Sequence, residues 1–227
     1  MTVMDKIRQA FEQAKQDVLE GKELHVGFTQ NSKTHMYSIG LLPLLTCHGR
    51  CRKTCGEIKE GKQLPPCYAC KFVNRFPDSM RRLAVNTALA IYRPNQYWKE
   101  VNDFMKCQRF MRLFDSGDMI IDGYFERLCN CLKNNPHCDV QGFTKCYEIV
   151  NRYISKYGKL PDNLHLLFSG WYEMLPDNPH GLPESRVYDD VLPDGWLSCG
   201  GDCRNCACVG LGCWKAENGD IIGLKKH

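Results

Sequence analysis

Fifteen cysteines fall mostly into two tight clusters near the two ends of the chain. The first is Cys47, Cys51, Cys55, Cys67 and Cys70; the second is Cys199, Cys203, Cys206, Cys208 and Cys213. Thiols at such spacing either pair as disulfides or bind soft metals, and either choice staples the local fold. Fifteen is odd, so complete pairing within one chain is impossible. The N-terminal stretch Met1–Glu20 is charged and amphipathic, without the apolar run of a secretory signal. The expectation is therefore a chain kept in a reducing cytoplasm, where thiolate–metal sites are the leading reading.

A chain of 227 residues, 43% hydrophobic, has enough apolar surface for an ordinary core. The cysteines are not needed to rescue a small fold. The net charge of +4 permits a nucleic-acid partner without arguing for one. No apolar run is long enough to span a membrane, so no membrane partner is expected.

Ile7, Phe11, Ala14 and Val18 recur at helical spacing and Gly21 supplies a stop, so the chain opens on a helix. Leu24–Phe28 reads as extended, 29–34 as a polar loop, and Met36–Leu45 as a buried approach to Cys47. Pro65 and Pro66 forbid a helix through the first cysteine loop. Helices are predicted from Asp78 and from Pro94. Strand and helix patterns then alternate: a strand over 108–114, a helix over 119–133, a strand over 138–143, a helix over 145–157 and a strand over 164–168. This alternation predicts βαβ units, hence an α/β fold with a parallel sheet curved as a partial (β/α) barrel. In such folds the chemistry sits at the carboxyl edge of the strands, where Asp115–Asp118, Thr144–Cys146 and Ser169–Trp171 fall. Prolines 176, 179, 183 and 193 mark an irregular crossing, and 221–224 reads as a short β-like tail. The boundaries are a lead-in over 1–30, a cysteine loop plus partial barrel over 31–175, and a Cys-rich metal-binding extension over 176–227.

In the second cluster, Cys199, Cys203, Cys206 and Cys213 offer four thiolates from one Gly-rich loop, with Cys208 to spare. Four thiolates suit tetrahedral zinc or an iron–sulfur cluster, and spacing does not separate the two. The first cluster lies among Arg50, Arg52, Lys53 and Lys59. Positive charge favours thiolates there. Zinc fits this site, and so does a cluster with one open iron position. His48 lies inside the loop and could replace a thiolate ligand, but with so many thiols nearby it is not expected to. Cys107, Cys129, Cys131, Cys138 and Cys146 read as packing residues, with Cys146 of interest because it follows a strand end.

Several motifs now line up in one order. They are Asn31-Ser32-Lys33, Thr46-Cys47-His48-Gly49-x-Cys51, Cys67-Tyr68-Ala69, Ser116-Gly117-Asp118, Phe143-Thr144-Lys145 and Phe168-Ser169-Gly170-Trp171. Asn178-Pro179-x-x-Leu182-Pro183 and the run CGGDC…CAC…GCW complete the set. With these the chain resembles the phage gene product 88 family, found also in bacterial genomes, from about residue 29 onward. The family implies no assigned activity. One departure concerns Cys55, which is followed by Gly56; the Cys-Tyr-Ala motif comes later, at Cys67. The family in turn looks like a distant relative of radical S-adenosylmethionine enzymes, whose three loop cysteines hold a four-iron cluster that binds the nucleotide. Their usual CxxxCxxC spacing is absent here, and Cys55…Cys67-x-x-Cys70 is the nearest equivalent.

Asp115 and Gly117 are candidates for binding the cofactor, with turn formation as the plainer role. Asp118, Lys145 and Ser169 are candidates for lining a catalytic pocket around an unknown substrate. Arg50, Arg52, Lys53, Lys71, Arg75, Arg81 and Arg82 form a basic stretch interleaved with Tyr68, Phe72 and Phe76, a composition used to bind nucleic acid. The expected function is an iron–sulfur protein, with up to two clusters and S-adenosylmethionine or a similar ligand at the first. The reactive cysteines are Cys55, Cys67 and Cys70, or Cys47, Cys51 and Cys67. The alternative is a non-catalytic, zinc-stapled protein that binds nucleic acid or serves as a phage accessory.

Overall fold

The computed structural model describes residues 1–31, 35–49, 51–52, 67–170 and 175–225. Ser32, Lys33, Arg50, Lys53, Cys55, Lys59, Pro65, Pro66 and Trp171 lie outside the described residues. The first helix, α1 (Val3–Leu19), begins with a capping box in which Thr2 and Asp5 satisfy each other's backbone amides. It buries Val3, Ile7, Ala14 and Val18 and packs along α3. Three further helices follow the first cysteine loop: α2 (Tyr68–Arg75), α3 (Pro77–Tyr92) and α4 (Pro94–Met105). The last two start on proline, whose missing N–H costs nothing at that position.

Eight strands form one sheet in the order β1-β2-β3-β4-β5-β6-β8-β7. They are β1 (Thr29–Asn31), β2 (Met36–Ile39), β3 (Phe110–Leu113), β4 (Asp139–Thr144), β5 (Leu164–Ser169), β6 (Glu184–Tyr188), β7 (Leu197–Ser198) and β8 (Ile221–Lys225). Among the described residues, β1–β2 is the one antiparallel pair and the others are parallel. From β2 to β6 each strand lies beside its successor in sequence, with α5 (Tyr124–Asn134) and α6 (Tyr147–Tyr157) as crossovers. Right-handed crossovers that always step the same way lay their helices on one face. Ile39, Met111, Leu113, Val140, Leu164, Leu166 and Phe168 join those helices in the core.

Three sequence expectations need correcting. The extended piece is not Leu24–Phe28: strand β1 occupies the polar segment 29–31, where pairing with β2 overrides composition. Helix α5 starts at Tyr124 and not at Met119, because Gly123 takes a left-handed conformation at its N-cap. The proline-rich crossing contains β6, and the 176–227 segment supplies β6, β7 and β8 to the same sheet. The C-terminal stretch is thus an integral part of the layer, closed by α7 (Cys203–Val209) and a 3₁₀ turn over Gly212–Trp214.

Candidate functional site

The chain leaves β2 into the first cysteine loop, and three anchors fix its course. Asn86 of α3 accepts from the Gly27 amide at 2.8 Å and donates to the Gly27 and Gly40 carbonyls at 2.9 and 3.1 Å. The Leu42 amide donates to Thr87 Oγ1 at 2.9 Å. The Leu41 amide donates to the Ser116 carbonyl at 2.8 Å. Helix α3 and the turn after β3 therefore clamp the loop just before Cys47. The next turn is tied by Thr46, whose hydroxyl donates to the Leu42 carbonyl at 2.7 Å and accepts from the Asp118 amide at 3.3 Å.

This arrangement explains Gly117, read from the sequence as a cofactor-binding residue. Its φ is +75°, and an added Cβ would come within 2.4 Å of Thr46 Oγ1 and 2.8 Å of the Leu41 carbonyl oxygen. Glycine is needed where the turn touches the loop backbone. Gly117→Ala is expected to cost about 2–4 kcal/mol, combining left-handed strain with overpacking. Urea unfolding of the variant checks this.

Asp118, Lys145 and Ser169 are brought together across the carboxyl ends of β3, β4 and β5. Asp118 is buried, and its carboxylate accepts from Thr144 Oγ1 at 2.7 Å, the Lys145 amide at 2.8 Å and the Met119 amide at 2.9 Å. Burial raises its pKa, and these donors oppose the shift. Its oxygens are thus committed to bracing the strand ends. Lys145 Nζ donates to Ser169 Oγ at 2.7 Å, and the Tyr147 hydroxyl donates to the Ser169 carbonyl. Asp115 is half-buried; its Oδ2 accepts from Ser38 Oγ at 2.9 Å. Asp115 Oδ1 has no hydrogen-bond partner. That oxygen abuts Gly40, where an added Cβ would meet it at 2.0 Å. Burial is the main cause that pushes the Asp115 pKa up.

The first-cluster thiols gather over this edge. The Leu44 amide donates to Cys47 Sγ at 3.3 Å. Cys47 hydrogen-bonds with Cys51, and this, followed by burial, drives its pKa far up. Cys67 caps the start of α2. The Cys70 thiol first, then the amides of Cys70 and Ala69, bring Cys67 down to about 7 against the opposing effect of burial. The Cys51 charge acts on Cys67 and the Asp118 charge on Cys47, so both thiol pairs belong to one neighbourhood. His48 Nε2 lies 3.8 Å from Glu148.

The second cluster draws on three elements. Cys199 extends β7, its amide donating to the Gly223 carbonyl at 3.0 Å. Cys203 and Cys206 lie one turn apart on α7, whose N-cap Asp202 accepts from the Asn205 amide at 2.9 Å. Cys213 sits in the 3₁₀ turn. Burial first, then the charges of Cys199 and Cys203, push Cys213 up to about 12. Thiols that penalise one another's ionisation are a set that a cation would relieve. None of the described cysteines is in a disulfide. Among the described residues, no three His, Cys, Asp or Glu side chains form a group that can hold a metal ion. Cys129, Cys131, Cys138 and Cys146 are buried as packing residues, whereas Cys107 is exposed.

Sequence reasoning missed Arg112. On the sheet face opposite the core helices, Ser38, Arg112, Gln141 and His165 form one row by strand register. Arg112 Nε donates to Gln141 Oε1 at 3.2 Å, and its guanidinium lies 5.9 Å from the Phe143 ring centroid. Its positive charge opposes the rise at Cys203 and Cys213, and it also acts on Asp115. Trp214 packs edge-on against Phe110, at 5.6 Å, and tilted against His165, at 5.4 Å. The second cysteine segment therefore covers the polar face of the sheet, with Arg112 between it and the Asp115 turn.

A family model described as gene product 88 matches residues 5–198. The chain belongs to the gene product 88 family. The matched span takes in the first cysteine loop, the β3–β5 edge and β6, and it ends one residue before Cys199. No curated protein and no solved structure matches this gene product 88 chain. Among its described residues, no helix is long and apolar enough to cross a membrane.

Proposed function

We propose that this gene product 88 protein is an iron–sulfur protein whose first cysteine loop holds a reactive cluster. The observation that carries the reading is that two thiol pairs, Cys47 with Cys51 and Cys67 with Cys70, share one neighbourhood at the carboxyl edge of a parallel sheet wound in chain order, although no three of these side chains form a metal-holding group among the described residues. A partial (β/α) barrel is wound this way, and its chemistry lies at that edge. Cys55, outside the described residues, is the remaining donor. The donor chemistry suits the group: the described thiols are not in disulfides, and the Cys70 thiol together with the Cys70 and Ala69 amides lowers the Cys67 pKa, which favours its thiolate.

With such a cluster bound, the site gains one-electron chemistry on S-adenosylmethionine or a similar ligand, the activity we assign to it. The chain's own contribution is positioning. Asp118 fixes the ends of β3 and β4, and Lys145 presents a cation beside the Ser169 hydroxyl. Asp115 and Gly117 hold the turn against the loop. Cys199, Cys203, Cys206 and Cys213 would hold a second group, which would secure the C-terminal segment over the polar face or supply an electron relay.

The test is metal and acid-labile sulfide analysis of protein made and purified without oxygen. Iron with matching sulfide and broad visible absorption is the expected result. A colourless protein with stoichiometric zinc, which refuses iron and sulfide on anaerobic reconstitution, overturns the proposal and leaves the zinc-stapled alternative.

A further inference from the structure

Helix α2 has two unlike faces. Ala69, Cys70 and Val73 are buried. Tyr68, Phe72 and the C-cap residue Phe76 recur at four-residue spacing and are 70%, 41% and 44% exposed. One aromatic per turn puts them about 6 Å apart along the helix. The Phe72 and Phe76 ring centroids are 5.0 Å apart and tilted, and the Arg75 guanidinium lies 5.5 Å from the Phe76 centroid. The Tyr68 hydroxyl donates to the Asp115 carbonyl at 3.0 Å, but neither that bond nor core packing accounts for the solvent-facing rings of Phe72 and Phe76, since the helix already buries its other side.

Charge identifies the occupant. Residues 68–82 carry Lys71, Arg75, Arg81 and Arg82 against a single acid, Asp78. Lys71 and Arg75 are exposed, and among the described residues neither has a carboxylate within ion-pairing distance. A second copy would set like charge against like charge. Alternating aromatics and free cations meet the needs of a polyanion with accessible π faces, whose bases stack while its phosphates pair. A duplex keeps its base faces covered. We propose that the exposed face of α2 is a binding surface for single-stranded nucleic acid, with Phe72, Phe76 and Tyr68 as stacking platforms and Lys71 and Arg75 as phosphate contacts. The site stands apart from the cluster proposal, because Phe72, Phe76, Lys71 and Arg75 are not thiol ligands.

Fluorescence anisotropy with labelled oligothymidylate, oligouridylate and a duplex of equal length tests this on the full chain. Both single strands should bind better than the duplex, and a difference between them reports the 2′-hydroxyl together with the thymine methyl. Phe72→Ala should weaken binding by roughly 5- to 150-fold, and Phe72→Trp should retain it. Lys71→Glu with Arg75→Glu should weaken binding and flatten the salt dependence by roughly 0.7 per lost phosphate contact. Circular dichroism and melting confirm that each variant is folded. The proposal is overturned if no single strand binds, if the duplex binds as well, or if Phe72→Ala and the charge reversals leave affinity unchanged. Dissociation of a parent dimer by Phe72→Ala, without loss of oligonucleotide binding, would assign the face to self-association and also overturn it. Iron content plays no part in these readouts, so a zinc-loaded preparation tests the surface equally well.

Discussion

Asp118→Ala should cost about 3–5 kcal/mol of folding stability, the largest loss expected from any single substitution at the strand edge. The carboxylate is buried, and three donors converge on it: the Thr144 hydroxyl and the Met119 and Lys145 amides. Truncation leaves all three facing a void, away from water. Each loses its partner without regaining a solvent hydrogen bond, and an unmet buried donor is costlier than the bond was stabilising. The damage also reaches the loop, because the Asp118 amide donates to Thr46 Oγ1 one residue before Cys47. Asp118→Asn keeps the shape and one acceptor oxygen but turns an amino group toward a donor, so its cost should be smaller. Thr144→Val should fall between the parent and Asp118→Ala, since the Thr144 hydroxyl also accepts from the Cys146 amide at 2.9 Å. Urea unfolding of the three variants provides the ranking. If Asp118→Ala were within about 1 kcal/mol of the parent, the carboxylate would not brace the strand ends, and its availability for catalysis would rise accordingly.

Much of this edge can be read from the chain because strands end in recognisable ways. Asp115–Asp118 is a polar turn after an apolar run, and Lys145 and Ser169 close similar runs, so all three corners were accessible to pattern alone. The use made of those residues was not. Asp118 looks like a catalytic-pocket residue in sequence, and only the structure shows the three donors by which its carboxylate also braces the strand ends. Gly117 looks like a loop glycine, and only the approach of Thr46 and Leu41 explains it. Strand β6 was illegible because Ser185, Arg186 and Tyr188 alternate weakly after Pro183. Hydrogen-bonded neighbours on both sides, β5 and β8, make it a strand. Arg112 was missed for a related reason. In FMRL the polar residue alternates with Met111 and Leu113 and reads as a solvent face; a covering element more than ninety residues later changes that meaning. Polar residues at one register on β3 and β4, Arg112 opposite Gln141, were the available signal.

Removing two thiols at a time should separate the two cysteine sites. Cys51→Ser with Cys67→Ser leaves the second cluster intact. Cys203→Ser with Cys206→Ser leaves the first intact. If both sites bind metal, each double variant should lose about half of the bound metal, since thiolate ligands supply most of the affinity. The stability consequences should differ sharply. The second segment is held to the sheet by Trp214 against Phe110 and His165 and by the Cys199–Gly223 hydrogen bond. Helix α7 itself has no buried residue. If this segment, so short of apolar contacts, binds a metal, its order should depend on that metal, since structural thiolate sites contribute on the order of 10 kcal/mol of apparent binding energy. Cys203→Ser with Cys206→Ser should therefore expose Arg112 and Trp214 to solvent, seen as a red shift in tryptophan emission and faster proteolysis after residue 196. Cys51→Ser with Cys67→Ser should instead remove whatever metal the first loop binds with little change in either readout, because Asn86, Thr87 and Asp118 hold the loop root without help from sulfur. Parent-level metal in both variants would mean that neither pair is a ligand set. Equal loss of tryptophan protection in both would mean that the two sites fold as one unit, with Arg112 linking them across the polar face.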